Sequence, residues 1–189
     1  YDMPGIEFHP EPGRAPDFVP PPPKMVSGFR RLLDGGKGLV FLHHALAGWP
    51  AWPEYADVLG GRFLYLPGEV RGRRCLDSGY RNNVTYRVRT VADHPVLEGI
   101  PCQFEITDEL YLAEMFEDEV TPLLRADHTF CAENFHSAAR AVVDNEMYSN
   151  RDWPHPPGSN LIAWVKSAGA SPIVYLQPGD GPSAYENPH

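Results

Sequence analysis

Between Gly38 and Ala47 the chain reads Leu39-Val40-Phe41-Leu42 and then, without a break, His43-His44. An apolar run this short, opened by glycine and closed by polar residues, predicts a strand buried on both faces in a parallel sheet. In open α/β sheets the ligand crevice lies outside the carboxyl ends of the strands. The paired imidazoles are therefore expected at the edge where a substrate would meet the protein. Helical stretches flank the run: Met25–Leu33, stopped by Gly35-Gly36, and Trp52–Leu59, stopped by Gly60-Gly61. Helix alternating with strand over this part points to the α/β class.

Further along, strands are expected at Phe63–Leu66, Phe104–Thr107, Val120–Leu124, Leu161–Val165 and Pro172–Leu176, and a helix over Phe135–Val143. Val84, Tyr86 and Val88 alternate with Thr85, Arg87 and Arg89, the pattern of a half-exposed strand. Residues 10–23 are proline-rich and end in Pro20-Pro21-Pro22-Pro23, which predicts an extended linker or crossover. With 189 residues and no internal repeat, a single domain over 1–189 is expected. Both ends read as cut. Tyr1-Asp2-Met3-Pro4-Gly5 opens like the end of a strand, Ser183–His189 like a helix without its continuation, and a targeting segment would lie outside this sequence.

The net charge of -9 argues against nucleic acid, whose phosphates need a basic surface. Arg71, Arg73 and Arg74 then read as a solvated loop; the surrounding segment 67–83 is either a lid over a cleft or an ordinary excursion. No apolar run approaches the ~20 residues of a membrane span. Cys75, Cys102 and Cys131 are widely spaced, match no zinc pattern and cannot all pair, so reduced thiols in a cytoplasmic protein are expected.

Two further segments carry candidate chemistry. In Asp93-His94-Pro95 the proline ring holds His94 extended, and Ile106-Thr107-Asp108-Glu109-Leu110-Tyr111 brings two carboxylates to the end of a short strand. Neutral imidazoles and a carboxylate suit a divalent metal such as zinc, and equally suit general acid–base chemistry. For His94 the competing reading is an ordinary turn residue near solvent. After the last strand comes Pro178-Gly179-Asp180-Gly181, leading to a helix around Tyr185. Its amides could bind a polar ligand group, or its glycines only shape the turn. Trp49, Trp52, Tyr111 and Tyr185, mixed with Asp108, Glu109 and Asp180, are a set suited to a sugar: flat rings cover C–H surface and carboxylates accept hydroxyl hydrogen bonds. Trp52, three residues from Tyr55, and Trp164 in a central strand read as core instead. The catalytic candidates are His44 and Glu109 with His43 and Asp108; the substrate-binding candidates are Trp49, His94, Tyr111, Asp180 and Tyr185.

Taken in order, Gly38–His44, Trp52 through Phe63, His94-Pro95-Val96, Asp108-Glu109-Leu110-Tyr111, Ala163-Trp164-Val165 and Pro172–Tyr175 with Pro178-Gly179 resemble the ThuA-like (trehalose-utilisation) family. That family is similar to class I glutamine amidotransferases. The resemblance implies a flavodoxin-like three-layer sandwich with a mainly parallel sheet, whose first strand and helix would precede this sequence. It also implies a place in carbohydrate catabolism, acting on a disaccharide or a keto-sugar derivative. The amidotransferases carry a nucleophilic cysteine at the turn after the strand equivalent to Leu39–Leu42. Here His43 and His44 stand there, and no cysteine follows a buried strand, so glutamine hydrolysis is not expected. The family's last loop reads Pro-Gly-His or Gly-His, whereas this chain has Pro178-Gly179-Asp180, an acceptor-only carboxylate. Three functions stay open: a sugar-processing hydrolase, lyase or isomerase, with or without a divalent metal; a sugar-binding or regulatory module; and a structural partner domain that forms homo-oligomers.

Overall fold

The computed structural model describes residues 3–189. The strand end expected at Tyr1-Asp2 lies outside them; just after it, Ile6–Glu7 pairs antiparallel with Asp17–Phe18. The frame is a seven-stranded sheet. Its strands are β1 (Leu39–Leu42), β2 (Gly79–Thr90), β3 (Gln103–Leu112), β4 (Thr121–Ala126), β5 (His136–Ser137), β6 (Leu161–Ala168) and β7 (Ser171–Leu176). Strand β1 pairs with β7, β7 with β6, β6 with β4 and β4 with β2; β2 also carries β5 and the long β3.

This is an α/β fold, but the mainly parallel sheet is not what forms. Only β1 and β7 run parallel; the other pairings are antiparallel. A parallel pair needs a crossover of a dozen or more residues, usually a helix. The chain after Gly79 instead turns back on itself, tightly at Gly169-Ala170 between β6 and β7. Nor does a second helical layer appear. Helices α1 (Pro23–Asp34) and α2 (Pro53–Leu59) pack beside Phe41, Trp164, Ile173 and Tyr175 on one side. A second core cluster is closed by Phe130, Phe135 and Trp153 from the irregular chain between β4 and β6.

Strand β1 departs from its expected burial. Phe41 is half-buried, but Val40 is 64% and Leu42 41% exposed. It is the edge strand, so one of its faces has no covering layer among the described residues. Strand β3 is longer than expected, so Asp108 and Glu109 lie within it, on its buried C-terminal half, rather than at its end. Phe63–Leu66 forms no strand. These residues are largely buried as irregular chain, and their backbone groups pair with Leu46 and Ser78 instead of with a ladder. Apolar composition signals burial and cannot supply the strand partner. The helix expected from Phe135 begins only at α3 (Ala138–Val143), capped by Ser137; a last turn, α4 (Pro182–Tyr185), follows β7.

The sheet curls until β3 meets the segment that leaves β7. Gln177 Oε1 accepts from the Tyr111 amide at 2.8 Å. The Asp108 carboxylate accepts from the amides of Gly179 at 2.6 Å and Asp180 at 3.2 Å. These bonds bring the middle of β3 over the carboxyl ends of β1 and β7. The three cysteines are free, and no helix among the described residues is long and apolar enough to cross a membrane.

Candidate functional site

The turn leaving β1 positions the central group. His43 has φ 39°, a left-handed conformation uncommon for a side chain with a Cβ. It is held there from both directions: the Tyr175 hydroxyl donates to its carbonyl at 2.9 Å, and its own ring meets the Gln177 carbonyl oxygen through Nδ1 at 2.5 Å. A carbonyl only accepts, so Nδ1 carries the proton. Nε2 then faces oxygen: Glu109 Oε2 at 3.0 Å, the Tyr111 hydroxyl at 2.8 Å and Asp180 Oδ1 at 3.6 Å.

Facing Nε2, the phenol can donate and carboxylate oxygens accept. Among the described residues no lysine or arginine is paired with Asp108, Glu109 or Asp180. A proton on His43 Nε2 or a metal ion would add positive charge beside these carboxylates. Ligand atoms of His43, His44, Glu109 and Asp180 all lie within 4.8 Å of one another.

The electrostatics of each group follow from these neighbours. Burial works against charge on His43, but the hydrogen bonds to Glu109 and the Gln177 carbonyl outweigh it, and its pKa is raised above 6.5. His44 stacks edge-on against His43, ring centroids 4.4 Å apart. Burial first, and then the neighbouring imidazole, bring His44 down to about 4, so it is neutral at pH 7. Asp180 is raised above its ordinary 3.8, chiefly by burial and then by Glu109.

Of the sequence candidates, His43, His44, Glu109, Tyr111 and Asp180 come together. Asp108 is adjacent, with both carboxylate oxygens committed to loop amides. Tyr185 is 62% exposed and donates to the Gly179 carbonyl, bracing the same loop. Two candidates stand elsewhere. His94 caps the turn after β2, where its Nδ1 accepts from the Val96 amide and a separate hollow opens. Trp49 packs beside Pro4 and Gly5 in the N-terminal segment. Closeness along the chain to a chemistry-rich stretch does not report closeness in space.

The structure adds residues that sequence reasoning passed over. Asn82 donates to Glu109 Oε1 at 2.9 Å, leaving Oε2 to His43. It is aimed by a register shift in the β2–β3 ladder between Arg81 and Val84, where Asn83 has φ 54°; such bulges re-aim side chains. Gln177 is fully buried and serves both His43 and Tyr111. The available signals were Asn82-Asn83 interrupting a strand and a lone glutamine directly after an apolar one.

A cavity of about 340 Å³ opens beside this nest. His44, Glu109 and Tyr111 line it, with Phe8, Phe63, Tyr65, Tyr80 and Met147 among the others. No cysteine takes part in either the nest or the cavity.

The family model ThuA, described as trehalose utilisation, matches residues 20–189. A crystal structure of a protein described as thua-like from Parabacteroides merdae is similar in fold, with a TM-score of 0.57 at 17% identity. The match covers 86% of this chain but 57% of that one, so the present chain spans little more than half of its length. No curated protein matches.

Proposed function

The chain belongs to the ThuA family, and from that premise we propose that it processes a carbonyl-bearing carbohydrate derivative at the His43–His44–Glu109–Asp180 nest, using a divalent transition metal held there. One observation carries the reading: candidate ligand atoms of His43, His44, Glu109 and Asp180 lie within 4.8 Å of one another. Ligands ~2.0–2.2 Å from a tetrahedral ion stand ~3.3–3.6 Å from each other. His43 Nε2 lies 3.0 Å from Glu109 Oε2 and 3.6 Å from Asp180 Oδ1, which brackets that range. The bond from Nδ1 to a carbonyl, with Nε2 left for the metal, is the usual outer-shell support of a histidine ligand. Imidazole mixed with carboxylate favours zinc, manganese or iron over calcium.

When bound, such an ion polarises a carbonyl oxygen and stabilises the negative charge that develops on it. The chain's own groups do the rest. His43, His44 and Glu109 would hold the ion, and Asn82 fixes the Glu109 carboxylate by its second oxygen. With His43 Nε2 taken by the ion, the Tyr111 hydroxyl would donate to the Glu109 carboxylate. The Asp180 side chain is 37% exposed, against 2% for His43 and 7% for Glu109, on a loop pinned by Asp108. It is the proposed base that takes a proton from the carbon next to a sugar carbonyl. Returning that proton to the former carbonyl carbon, as the neighbouring hydroxyl becomes the new carbonyl and its proton passes to the old carbonyl oxygen, gives isomerisation. Delivering it to the glycosidic oxygen, as that C–O bond breaks and a C=C bond forms beside the carbonyl, gives elimination.

The test is elemental analysis of the purified protein beside His44→Ala and Glu109→Gln, with folding checked by circular dichroism. About one equivalent of metal in the parent, lost in both variants, together with turnover of a keto-disaccharide, is the expected result. A second reading, a protonated His43 bridging to Glu109 with no metal, is favoured by the raised pKa of His43. Metal-free protein that refuses added zinc, manganese and iron yet turns over the sugar would select it. Binding without turnover in both states would leave a binding module.

A further inference from the structure

We infer that the cavity beside the nest takes an apolar, aromatic aglycone, so that the substrate is an aryl glycoside or its oxidised derivative rather than a free disaccharide. The inference rests on the proposed function in treating the His43–Glu109 nest as the reactive end; the aglycone end is argued from the walls alone.

Those walls are apolar in a specific way. Phe63 meets Tyr65 and Tyr111 edge to face, at 5.2 Å and 5.0 Å between ring centroids. Such rings form the flat-sided slots into which another aromatic ring packs well. The tyrosine hydroxyls that would make the lining polar are turned to sulfur. Tyr65 donates to Met3 Sδ at 2.7 Å, and Tyr80 to Met147 Sδ at 3.7 Å. Thioethers at a rim adapt to ring edges and faces. Two further polar side chains on the lining are partly engaged: His9 meets Asp17 through Nε2 at 2.8 Å, and Asn145 donates from Nδ2 to the Pro10 carbonyl at 3.0 Å. Small residues of α3, Ala138 and Ala141, leave the room.

Polar readout is thus concentrated at the end where Glu109, His44 and Tyr111 stand. A sugar ring placed there finds partners for its oxygens. A second sugar ring in the rest of the cavity would set its hydroxyls against phenylalanine, methionine and alanine. Each hydroxyl that left water without a partner would cost binding, whereas an aryl group in the same place only sheds apolar surface from water.

The experiment is titration calorimetry of the full chain with the α and β anomers of 4-nitrophenyl glucoside, methyl glucoside and trehalose. At least one aryl glucoside is expected to bind about ten-fold tighter than both methyl glucoside and trehalose. Ala141→Phe should fill the slot and abolish the preference. Met147→Ala and Phe8→Asn alter residues that are 54% and 45% exposed, which the fold tolerates, and should reduce the preference several-fold. Trehalose binding as tightly as the aryl glucosides, or no binding of either aryl anomer at millimolar concentration, overturns the inference. So does a preference that all three wall variants leave unchanged. Glu109→Gln separates the two claims. If it keeps its metal content and its affinities while the wall variants lose theirs, the reactive-centre reading fails and the aglycone slot stands. If it loses metal while trehalose wins, the slot fails and the centre stands.

Discussion

Tyr111 shows how one atom divides labour in the nest. Its ring is core, 5.0 Å from the Phe63 centroid, while its hydroxyl stands 2.8 Å from His43 Nε2. Tyr111→Phe keeps the packing and removes the donor. The expected result is unchanged metal content, a folding free energy within about 1 kcal/mol of the parent, and a roughly ten-fold lower kcat, read by steady-state kinetics and urea melts. A second residue-scale prediction concerns His128 and His136. Burial, and then the Arg81 guanidinium, lower both from 6.5. Below about pH 6.5 the unfolded chain therefore binds more protons than the folded one, and stability falls as pH drops. The double variant His128→Gln/His136→Gln should lessen the fall in melting temperature between pH 7 and pH 5, with His44 supplying what remains; an unchanged slope would locate the acid sensitivity elsewhere. Neither effect was legible beforehand, because a side chain's partners come from strands far apart in sequence. Tyr111 was singled out as an aromatic for sugar stacking, whereas its structural position makes it the hydroxyl neighbour of His43.

Elements matter here through how they are anchored. Helix α3 forms one wall of the cavity and is held at its start by the buried carboxylate of Asp77. That group accepts from Ser137 Oγ at 2.6 Å, the Ala139 amide at 2.9 Å and Trp153 Nε1 at 3.1 Å. Asp77→Ala leaves three donors without their partner and should cost about 2–4 kcal/mol. Aryl-glucoside affinity should fall with it, because the α3 wall loses its anchor. Helix α2 is stopped by Gly60, at φ 85°. A Cβ there would come within 2.6 Å of Val120 Cγ1 and 3.0 Å of Trp164 Nε1, the group that donates to the Leu59 carbonyl. Gly60→Ala is expected to cost about 1–3 kcal/mol in urea denaturation. The glycine stop of α2 was readable in the sequence, since a helix end needs local chemistry. The Asp77 anchor was not, since its three donors lie some sixty to seventy-six positions away.

At the scale of the whole molecule the site exists because the sheet curls. Strand β3 and the loop after β7 are joined by Asp108 to the amides of Gly179 and Asp180, and by Gln177 to Tyr111. Asp108→Ala touches no metal ligand and should leave metal content at the parent level while lowering turnover, because Asp180, the proposed base, loses the anchor of its backbone. If turnover also stays at the parent level, Asp108 plays no positioning role. Metal also couples to global stability. At a free concentration a hundred times Kd, a ligand specific to the folded state adds about 2.7 kcal/mol. Stripping with a chelator should lower the melting temperature accordingly, and Glu109→Gln should be insensitive to the chelator.

By itself the sequence determined what depends on neighbouring residues: the extents of α1, α2, β1 and β7, the half-exposed alternation of β2, the polar turn that follows an apolar strand, and the residue types able to bind a cation. These follow from side-chain period, glycine stops and proline geometry, all of which act over a few positions. The tertiary structure decided the antiparallel pairing, the exposure of Val40 and Leu42, the absence of a strand at Phe63–Leu66, and the separation of His94 and Trp49 from the nest. It also recruited Asn82 and Gln177. Strand partners and ligand sets are choices among segments tens of residues apart. An apolar run records that it will be buried, but not against which strand or on which side of a curl.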